Sequence, residues 1–303
     1  MKVVILGGGE SGVGAAILAK TKGLEVFLSD KGEIKENYKK VLVENGIEFE
    51  EKNHDEERIL AADWVIKSPG VPKKAEMVQK IKAKGIRLSS EIEFGAEFTN
   101  AKIIAITGSN GKTTTTSLIY HILKNDNLNV GLGGNIGKSF AMQVAQENFD
   151  YYVLEVSSFQ LDDIQNFRPY ISLLLNLSPD HLDQYNYNYE EYALAKFRIA
   201  ENQENDNYFI YNKDDEMSQK LLQELDLRVK QIPFSMKEKL EEGGYTEEEK
   251  IVVKLHDEFS MKIEDLSLMG THNVANSLAA SIAGKLLNIS NESIRNSLMT
   301  FQA

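Results

Sequence analysis

Short apolar runs alternate with segments in which apolar residues recur every three or four positions along almost the whole chain. Apolar runs of about four to eight residues are typical of buried strands, and the longer period is typical of amphipathic helices. Their alternation indicates β-α-β units around a mainly parallel sheet. In the first hundred residues this pattern predicts strands near residues 3–6, 26–29, 47–50, 65–67 and 87–89. It predicts helices near residues 12–22, 35–45, 76–84 and 91–98.

The pattern restarts at residue 103, where another apolar run precedes a second glycine-containing loop. Further strands are predicted near residues 103–106, 130–132, 151–156, 171–176 and 208–211. A hairpin is predicted from residues 251–255 and 259–263, followed by helices at residues 272–287 and 291–299. The restart therefore predicts two α/β domains with mainly parallel sheets. Residues 1–97 form a Rossmann-like domain, and residues 98–303 form a P-loop ATPase-like domain.

Composition narrows the class of protein without identifying it. The chain of 303 residues is 42% hydrophobic and 26% charged, as in ordinary globular proteins. It has no cysteine, which excludes disulfides, zinc–thiolate sites and thiol catalysis. Its formal charge of −12 argues against nucleic-acid or anionic-membrane binding, and no apolar stretch approaches the ~20 residues of a membrane span. We therefore expect a cytoplasmic protein that binds phosphates only through local features of its loops and helices.

The strongest chemical motif follows the strand at residues 103–106 and reads Thr107-Gly108-Ser109-Asn110-Gly111-Lys112-Thr113-Thr114. Glycines let backbone N–H groups approach phosphate oxygens, and the N-terminus of the following helix adds partial positive charge. Lys112 can reach the terminal phosphates of a nucleotide, and the Thr113 hydroxyl can bind Mg²⁺. The common phosphate-loop pattern has a further glycine where this chain has Ile106. The motif predicts a site for a nucleoside triphosphate.

Several later motifs are less specific when each is taken alone. Glu155 ends a predicted buried strand, where open α/β sheets bind ligands and where an unpaired carboxylate is costly. The segment at residues 133–137 is typical of a loop, and His181 of a structural histidine. Lys196 is typical of a solvated lysine on a helix, and residues 270–276 of a helix N-terminus.

The N-terminal loop at residues 7–12 fits the pattern Gly-x-Gly-x-x-Gly between a strand and a helix. Asp30 ends the second predicted strand, close to the place where dinucleotide-binding folds carry an acid that binds ribose. Taken alone, these two features favour an NAD-binding domain and hence an oxidoreductase.

Taken together, the motifs resemble the Mur ligase family. Residues 107–113 are similar to its shortened phosphate loop, Thr-Gly-x-x-Gly-Lys-Thr/Ser. Residues 157–161, Ser-Ser-Phe-Gln-Leu, look like those of the member that adds D-glutamate, since its sister enzymes differ after the serines. The resemblance covers essentially all 303 residues, and its motifs are denser in the second domain.

The resemblance implies site residues that spacing alone does not identify. It implies ATP contacts by Gly108, Ser109, Asn110, Gly111, Lys112, Thr113, Thr114, Asn273 and Asn276. It implies a catalytic centre with two Mg²⁺ ions, in which Lys112 binds phosphate and the metal ligands are Thr113, Glu155, His181 and Lys196. Lys196 would be carbamylated by CO₂, which requires a neutral amine and hence burial or nearby positive charge. Relatives often carry arginine where this chain has Gln184, so that position has no assigned role.

The resemblance also implies a UDP-sugar, rather than NAD, in the first domain. Ser11, Asp30, Ser68 and Gly70 match the family's contacts to the uridine nucleotide. Near the γ-phosphate of ATP, the substrate would be oriented by Asn135, Ser157 and Ser158. Glu10 lies next to the expected diphosphate, so we expect its carboxylate to turn outward or to interact with the helix N-terminus.

The implied activity is ATP-dependent ligation of D-glutamate to UDP-N-acetylmuramoyl-L-alanine through an acyl phosphate, a step of peptidoglycan precursor synthesis, by a monomer. Full-length family members continue into a third domain that binds the amino acid. Since this chain stops where that domain begins, the resemblance implies that it is not a competent ligase by itself. Three alternatives stay open: a sister ligase, including one that adds polyglutamate to folate, an NAD-dependent oxidoreductase, and a non-catalytic nucleotide-binding module.

Overall fold

The computed structural model describes residues 1–179 and 182–302, and the chain divides into two compact units. Unit 1 consists of Met1–Asn100, Gly137–Asn148 and Phe159–Phe167. Unit 2 consists of Ala101–Ile136, Phe149–Ser158 and Arg168–Ala303. The units are therefore not contiguous in sequence, because two internal segments belong to unit 1. The domain boundary after residue 97 stays a prediction.

The strands follow one another closely along the chain and form one sheet in each unit. In unit 1 they are β1 (Lys2–Leu6), β2 (Glu25–Ser29), β3 (Glu48–Glu50), β4 (Trp64–Lys67) and β5 (Arg87–Ser90). In unit 2 they are β6 (Lys102–Thr107), β7 (Val130–Gly134), β8 (Tyr151–Glu155), β9 (Ile171–Leu174), β10 (Tyr208–Asn212), β11 (Lys230–Ser235), β12 (Gly243–Glu247), β13 (Lys250–Lys254) and β14 (Glu258–Lys262).

The α-helices connect most of these strands. In chain order they are α1 (Glu10–Thr21), α2 (Glu36–Glu44), α3 (Glu56–Leu60), α4 (Glu76–Ala83), α5 (Glu91–Ala96), α6 (Lys112–Asn125), α7 (Phe140–Gln146), α8 (Ser158–Leu161), α9 (Tyr189–Phe197), α10 (Glu216–Glu224), α11 (Thr271–Leu286) and α12 (Asn291–Thr300). Within the described part of the chain, no helix is long and apolar enough to cross a membrane.

The sheet of unit 1 is parallel throughout, in the order β3-β2-β1-β4-β5. Successive residues of β1 face opposite sides, as the two-residue period of a strand requires. Val3 and Ile5 pack in the apolar cluster that contains α1, whereas Val4 and Leu6 pack in the cluster that contains α4. Because both faces are covered, the central strands β1 and β4 are almost continuously apolar, which is the pattern visible in the sequence.

The sheet of unit 2 has the order β14-β13-β12-β11-β10-β9-β6-β8-β7. Strands β6 to β12 pair in parallel, and β13 and β14 add an antiparallel hairpin at one edge. The buried face of α6 carries Leu118, Ile119, Ile122 and Leu123, which pack with β6 and α11 in one core. The predicted α/β class with mainly parallel sheet and the predicted hairpin are confirmed.

Two segments join unit 1 through buried carboxylates of α5. Glu91 accepts hydrogen bonds from the Ser139 hydroxyl (2.5 Å) and from the backbone N–H of Ala141 (2.7 Å) at the start of α7. Glu93 accepts hydrogen bonds from the backbone N–H groups of residues 165–167. Nearby, Lys67 at the end of β4 and Asp163 form a fully buried ion pair of 3.0 Å. These contacts explain why both segments belong to unit 1.

Several elements were not predicted from the sequence pattern: α3, α7, α10, β11 and β12. Local capping explains three of these helices, because the side chains of Asp55, Ser139 and Asp215 each accept a hydrogen bond from a backbone N–H of the first turn. β11 contains Pro233, and β12 begins with two glycines, residues that strands usually disfavour. Tertiary pairing within the nine-stranded sheet outweighs that preference.

Candidate nucleotide-binding sites

The phosphate loop of unit 2 lies at the carboxyl end of β6, between the ends of its two neighbours β8 and β9. Asn176, directly after β9, fixes the loop reciprocally: its side-chain oxygen accepts from the backbone N–H of Asn110, and its side-chain nitrogen donates to the Asn110 carbonyl oxygen, both at 2.9 Å. The Ser109 hydroxyl donates to the carbonyl oxygen of Ser178 (3.0 Å) and lies 2.9 Å from the Tyr192 hydroxyl. Residues outside the loop therefore hold it in place.

Gly111 makes the turn from this loop into α6. Its φ of +81° is left-handed, and an added Cβ would lie 2.5 Å from the side-chain oxygen of Asn276. Only glycine satisfies both conditions without strain. The N-terminus of α6 thus stays open, and its first backbone N–H groups can bind an anion.

Lys112 lies over the phosphate loop and donates to the carbonyl oxygens of Gly108 (2.9 Å) and Ser109 (3.0 Å). Both acceptors are neutral, so the ammonium has no ion-pair partner in these two contacts. It is therefore available to a phosphate oxygen, which is a stronger acceptor than a carbonyl oxygen.

Thr113, Glu155 and Asn135 form a connected group at the ends of β8 and β7. The hydroxyl of Thr113 donates to one carboxylate oxygen of Glu155 (2.7 Å), and the side-chain nitrogen of Asn135 donates to the other (2.9 Å). Glu155 is only 2% exposed. A carboxylate so deeply buried needs these partners or a cation, because its desolvation is expensive.

The chemistry of this group fits Mg²⁺, which prefers carboxylate, hydroxyl and water oxygens. Thr113 and Glu155 are the residues that would hold the ion. His181 lies outside the described residues. Among residues 1–179 and 182–302, no group of three or more histidine, aspartate or glutamate side chains is placed to hold a metal by itself. Phosphate oxygens and water would have to complete the coordination.

Lys196 is buried in α9 rather than solvated, so the interpretation from the helical pattern alone was wrong. Its exposed fraction is 3%, and its Nζ donates to the Gly108 carbonyl oxygen (2.9 Å) above the ring of Tyr192. The sequence analysis missed Tyr192, although its spacing of four residues from Lys196 places both on one helix face. The side-chain nitrogen of Gln184 donates to the adjacent Asp183 (2.7 Å).

A cavity of about 780 Å³ adjoins the phosphate loop in unit 2. Gly111 and Thr114 line one part of it, and Asn273 and Asn276 of α11 line another. The two asparagines contact each other at 3.3 Å, and Asn273 also donates to the Met269 carbonyl oxygen. Three of the predicted phosphate-loop residues, Asn110, Gly111 and Thr114, therefore line the same cavity as the two asparagines predicted to bind adenine. Ser157 is half-buried and Ser158 is buried directly after β8, at the same end of the sheet as Glu155.

A second cavity, of about 490 Å³, lies in unit 1 at the carboxyl ends of the parallel strands. It is lined by the four predicted residues Ser11, Asp30, Ser68 and Gly70. It is also lined by two residues that the sequence analysis missed, Lys31 and His54. Neither lies in a recognisable motif, and His54 is placed there only by the pairing of β3 with β2.

The glycine loop of this cavity is tightly packed. A Cβ on Gly12 would lie 1.8 Å from the Gly7 carbonyl oxygen, so α1 begins in direct contact with the loop. Asp30 accepts hydrogen bonds from the backbone N–H groups of Gly8 (2.5 Å) and Gly32 (2.7 Å), one on each carboxylate oxygen. The Ser68 hydroxyl donates to the Gly7 carbonyl oxygen (3.3 Å). Asp30 thus stabilises the conformation of the glycine loop.

Glu10 contacts the hydroxyl of Tyr38 (3.1 Å) and the backbone N–H of Ser139 (3.2 Å). Its carboxylate oxygens are therefore engaged with groups outside the glycine loop. Burial and the Glu10 carboxylate together raise the pKa of Tyr38 above its ordinary value. This arrangement agrees with the expectation that Glu10 turns away from the loop.

The two sites define a class: an α/β protein in which a P-loop nucleotide site accompanies a separate Rossmann-like binding unit. The family model of the Mur ligase middle domain matches residues 106–284, and that of the MurD N-terminal domain matches residues 2–77. The chain belongs to the Mur ligase family.

Curated relatives agree with this assignment. The chain is 52% identical to the UDP-N-acetylmuramoylalanine–D-glutamate ligase of Christiangramia forsetii and 50% identical to that of Bacteroides fragilis. Each alignment covers 99% of this chain and 68% of the relative.

Solved structures share the fold. One is the UDP-N-acetylmuramate:L-alanyl-gamma-D-glutamyl-meso-diaminopimelate ligase from Neisseria meningitides, with a TM-score of 0.69, 20% identity and coverage of 100% of this chain and 98% of that chain. Another is the UDP-N-acetylmuramate-alanine ligase from Thermotoga maritima, with a TM-score of 0.60, 21% identity and coverage of 100% and 69%.

Proposed function

We propose that this chain carries the ATP-binding and UDP-sugar-binding parts of a ligase that joins D-glutamate to UDP-N-acetylmuramoyl-L-alanine during peptidoglycan precursor synthesis. The observation that carries the proposal is the contact of Thr113 with the buried Glu155, directly after the lysine of the phosphate loop. Relatives with the name of this ligase are 50% and 52% identical to the chain over nearly its whole length, which supports the choice of substrates.

The proposed reaction has two steps. The terminal phosphoryl group of ATP passes to an oxygen of the alanine carboxylate, and ADP leaves. The amine of D-glutamate then attacks the carbonyl carbon of this acyl phosphate, inorganic phosphate leaves, and the nitrogen loses a proton. Carboxylate and phosphate repel each other, so the protein has to neutralise charge and position both groups.

Lys112 supplies a cation for the first step. Its ammonium exchanges the carbonyl oxygens of Gly108 and Ser109 for oxygens of the terminal phosphate, while the loop N–H groups bind the remaining phosphates. Thr113 and Glu155 would hold one Mg²⁺, which would add positive charge at the phosphate oxygens. Asn273 and Asn276 bind the adenine end of ATP in the cavity of unit 2.

We assign Lys196 and His181 as ligands of a second Mg²⁺ ion. The nitrogen of a neutral Lys196 amine would form a bond to the carbon of CO₂ and lose a proton, which gives a carbamate with anionic oxygens. The burial of Lys196 beside the Gly108 carbonyl oxygen supports this role, because a buried lysine pays a desolvation cost for its charge. His181, outside the described residues, keeps the role that the family resemblance implies.

The UDP-sugar is assigned to the cavity of unit 1. Its diphosphate binds at the glycine loop and Ser11, next to the N-terminus of α1, and Asp30, Ser68 and Gly70 are assigned as further contacts of the uridine nucleotide. Asn135, Ser157 and Ser158, which lie in unit 2, keep the substrate-orienting role that the family resemblance implies. The hydrogen bond from Asn135 to Glu155 supports a place for Asn135 near the terminal phosphate of ATP.

Calorimetric titration of the 303-residue chain tests the proposal. We expect saturable binding of UDP-N-acetylmuramoyl-L-alanine and of a non-hydrolysable ATP analogue, which should bind more tightly when Mg²⁺ is present. NADH is the control ligand, because the glycine loop and Asp30 alone favour NAD. Binding of NADH in place of the UDP-sugar would overturn the assignment of unit 1.

A further inference from the structure

His54 occupies a position in the cavity of unit 1 that no sequence motif marks. It lies four residues after β3, the edge strand of the sheet, and lines the same cavity as the glycine loop and Asp30. The loops after β1, β2 and β3 follow one another along the edge of the sheet. Adjacent strands are about 4.8 Å apart, so the distance from the glycine loop to His54 is roughly 10 Å, comparable with the span from phosphate to base in a nucleotide.

The hydrogen bonds of Ser29 determine which nitrogen of His54 carries the proton. The Ser29 hydroxyl lies 2.7 Å from a carboxylate oxygen of Glu50 and 2.6 Å from Nδ1 of His54. A carboxylate only accepts, so the single hydroxyl proton of Ser29 is directed to Glu50. Nδ1 of His54 must then carry a proton and donate it to the Ser29 oxygen. The neutral ring consequently has a free lone pair on Nε2, which makes no hydrogen bond within the described part of the chain.

The surroundings of His54 favour its neutral form near pH 7. Burial lowers the pKa of His54 below its ordinary value of 6.5. The carboxylates of Glu50, on β3, and Asp30, after β2, raise the pKa, whereas Lys31, after β2, lowers it. The net effect is a decrease, so Nε2 is an acceptor at neutral pH and becomes a donor only in acid.

Two other polar side chains of the cavity are engaged in fixing the glycine loop. Both carboxylate oxygens of Asp30 already accept backbone N–H groups, and the Ser68 hydroxyl donates to the Gly7 carbonyl oxygen. Lys31 only donates. The lining also includes Val71 and Pro72, whose side chains offer apolar contact.

We propose that His54 determines the base specificity of unit 1 by accepting a hydrogen bond from N3–H of uracil at its Nε2. This inference rests on the proposed UDP-sugar site. Uracil carries a donor at N3, whereas cytosine carries an acceptor there, so the neutral imidazole attracts one base and repels the other. In acid the imidazolium donates from Nε2, and the preference for uracil is lost.

Binding of UDP, CDP and N3-methyl-UDP to the full chain tests the proposal by calorimetry at about pH 8 and about pH 5. We expect UDP to bind about tenfold more tightly than either analogue at the higher pH, which corresponds to one good hydrogen bond. The ratio should fall towards one at the lower pH. Comparing ratios cancels the titration of the phosphates, which all three ligands share.

His54→Ala should bring the ratio near one at both pH values, whereas His54→Gln, whose side-chain oxygen accepts but does not titrate, should keep a preference for UDP that is independent of pH. His256→Ala is the matched control, because His256 is 56% exposed in the β13–β14 hairpin. A preference for UDP that is unchanged in His54→Ala and in acid would overturn the role of His54 and leave the UDP-sugar site intact. Absence of UDP binding to the wild-type chain would overturn both.

Discussion

Both glycine loops connect a strand to a helix, but the two loops differ in the side chains that fix them and in the charged groups beside them. In unit 1, Asp30 fixes the loop by accepting the backbone N–H of Gly8, and the loop itself carries no cation. In unit 2, neutral side chains such as Asn176 fix the loop, while Lys112 and the Thr113–Glu155 pair stand at its end. The first arrangement is suited to holding a diphosphate that does not react. The second is suited to transfer of a phosphoryl group, where charge has to be neutralised.

The same contrast extends to the buried charges. In unit 1 the buried carboxylates Glu91 and Glu93 bind backbone N–H groups of the inserted segments and thereby hold the fold together. In unit 2 the buried Glu155 and Lys196 lie beside the phosphate loop. Changes at Glu91 and Glu93 should therefore affect mainly stability, and changes at Glu155 and Lys196 should affect mainly binding.

The largest effect is expected for Gly12→Ala. The added Cβ would lie 1.8 Å from the backbone oxygen of Gly7, which cannot move without displacing β1 or α1. We expect the free energy of unfolding to fall by more than about 3 kcal/mol in chemical denaturation. Gly9→Ala is the control, because nothing lies within 4 Å of its Cβ and its φ is −83°. Equal stability of the two variants would contradict the tight packing of the loop.

Glu91 should make stability depend on pH. Burial, with a smaller contribution from Glu10, raises its pKa from 4.5 to about 7. The folded state thus binds the proton more tightly than the unfolded state. The stability from this group is fully present below about pH 4.5 and is lost as the pH rises through about 7, and its total is roughly 3 kcal/mol.

Glu91→Gln should remove that contribution. The difference in free energy of unfolding between wild type and variant, measured by denaturation across this pH range, should change steadily with pH. Glu147→Gln, an exposed change in the same unit, should give no such trend. A flat difference for Glu91→Gln would mean that the pKa of Glu91 is the same in the folded and unfolded states.

Lys112→Ala should weaken binding of MgATP about a hundredfold, or about 2.7 kcal/mol, and leave binding of the UDP-sugar nearly unchanged. The reason is that Lys112 donates hydrogen bonds to the phosphate loop of unit 2. Lys124→Ala, an exposed change on the same helix, is the control for both titrations. Equal loss of both ligands in Lys112→Ala would show that the two-site assignment is wrong.

A smaller effect is expected for Thr113→Val, which keeps the shape of the side chain and removes the hydroxyl next to Glu155. The gain in ATP affinity on adding Mg²⁺ should decrease about tenfold, while binding without the metal should change little. Thr113→Ser keeps the hydroxyl and should behave like wild type. If Val and Ser gave the same dependence on Mg²⁺, the hydroxyl would not be a metal ligand.

Elements with strong periodicity could be predicted from the sequence, and so could residues in dense motifs. The predictable features include the strands that precede both loops and the buried face of α6. They also include the site residues Lys112, Thr113 and Glu155. Lys196 was recognised only through the family resemblance, since its helical pattern alone indicated a solvated residue. The two inserted segments of unit 1 could not be predicted, because nothing in the sequence marks Glu91 and Glu93 as buried. Their role becomes visible only in the hydrogen bonds that they accept from residues 139–141 and 165–167.

The division of the chain into units also has a consequence for vectorial synthesis on the ribosome. The polypeptide passes from one unit to the other after Asn100, Ile136, Asn148, Ser158 and Phe167. At a translation rate of about 5–20 residues per second, roughly 4 to 14 seconds separate the emergence of Ala96, the last residue of α5, from that of Phe167. During that interval the nascent N-terminal sheet carries the Glu93 carboxylate without the backbone N–H groups of residues 165–167 that bind it. Unit 1 therefore cannot finish folding before much of unit 2 has been made.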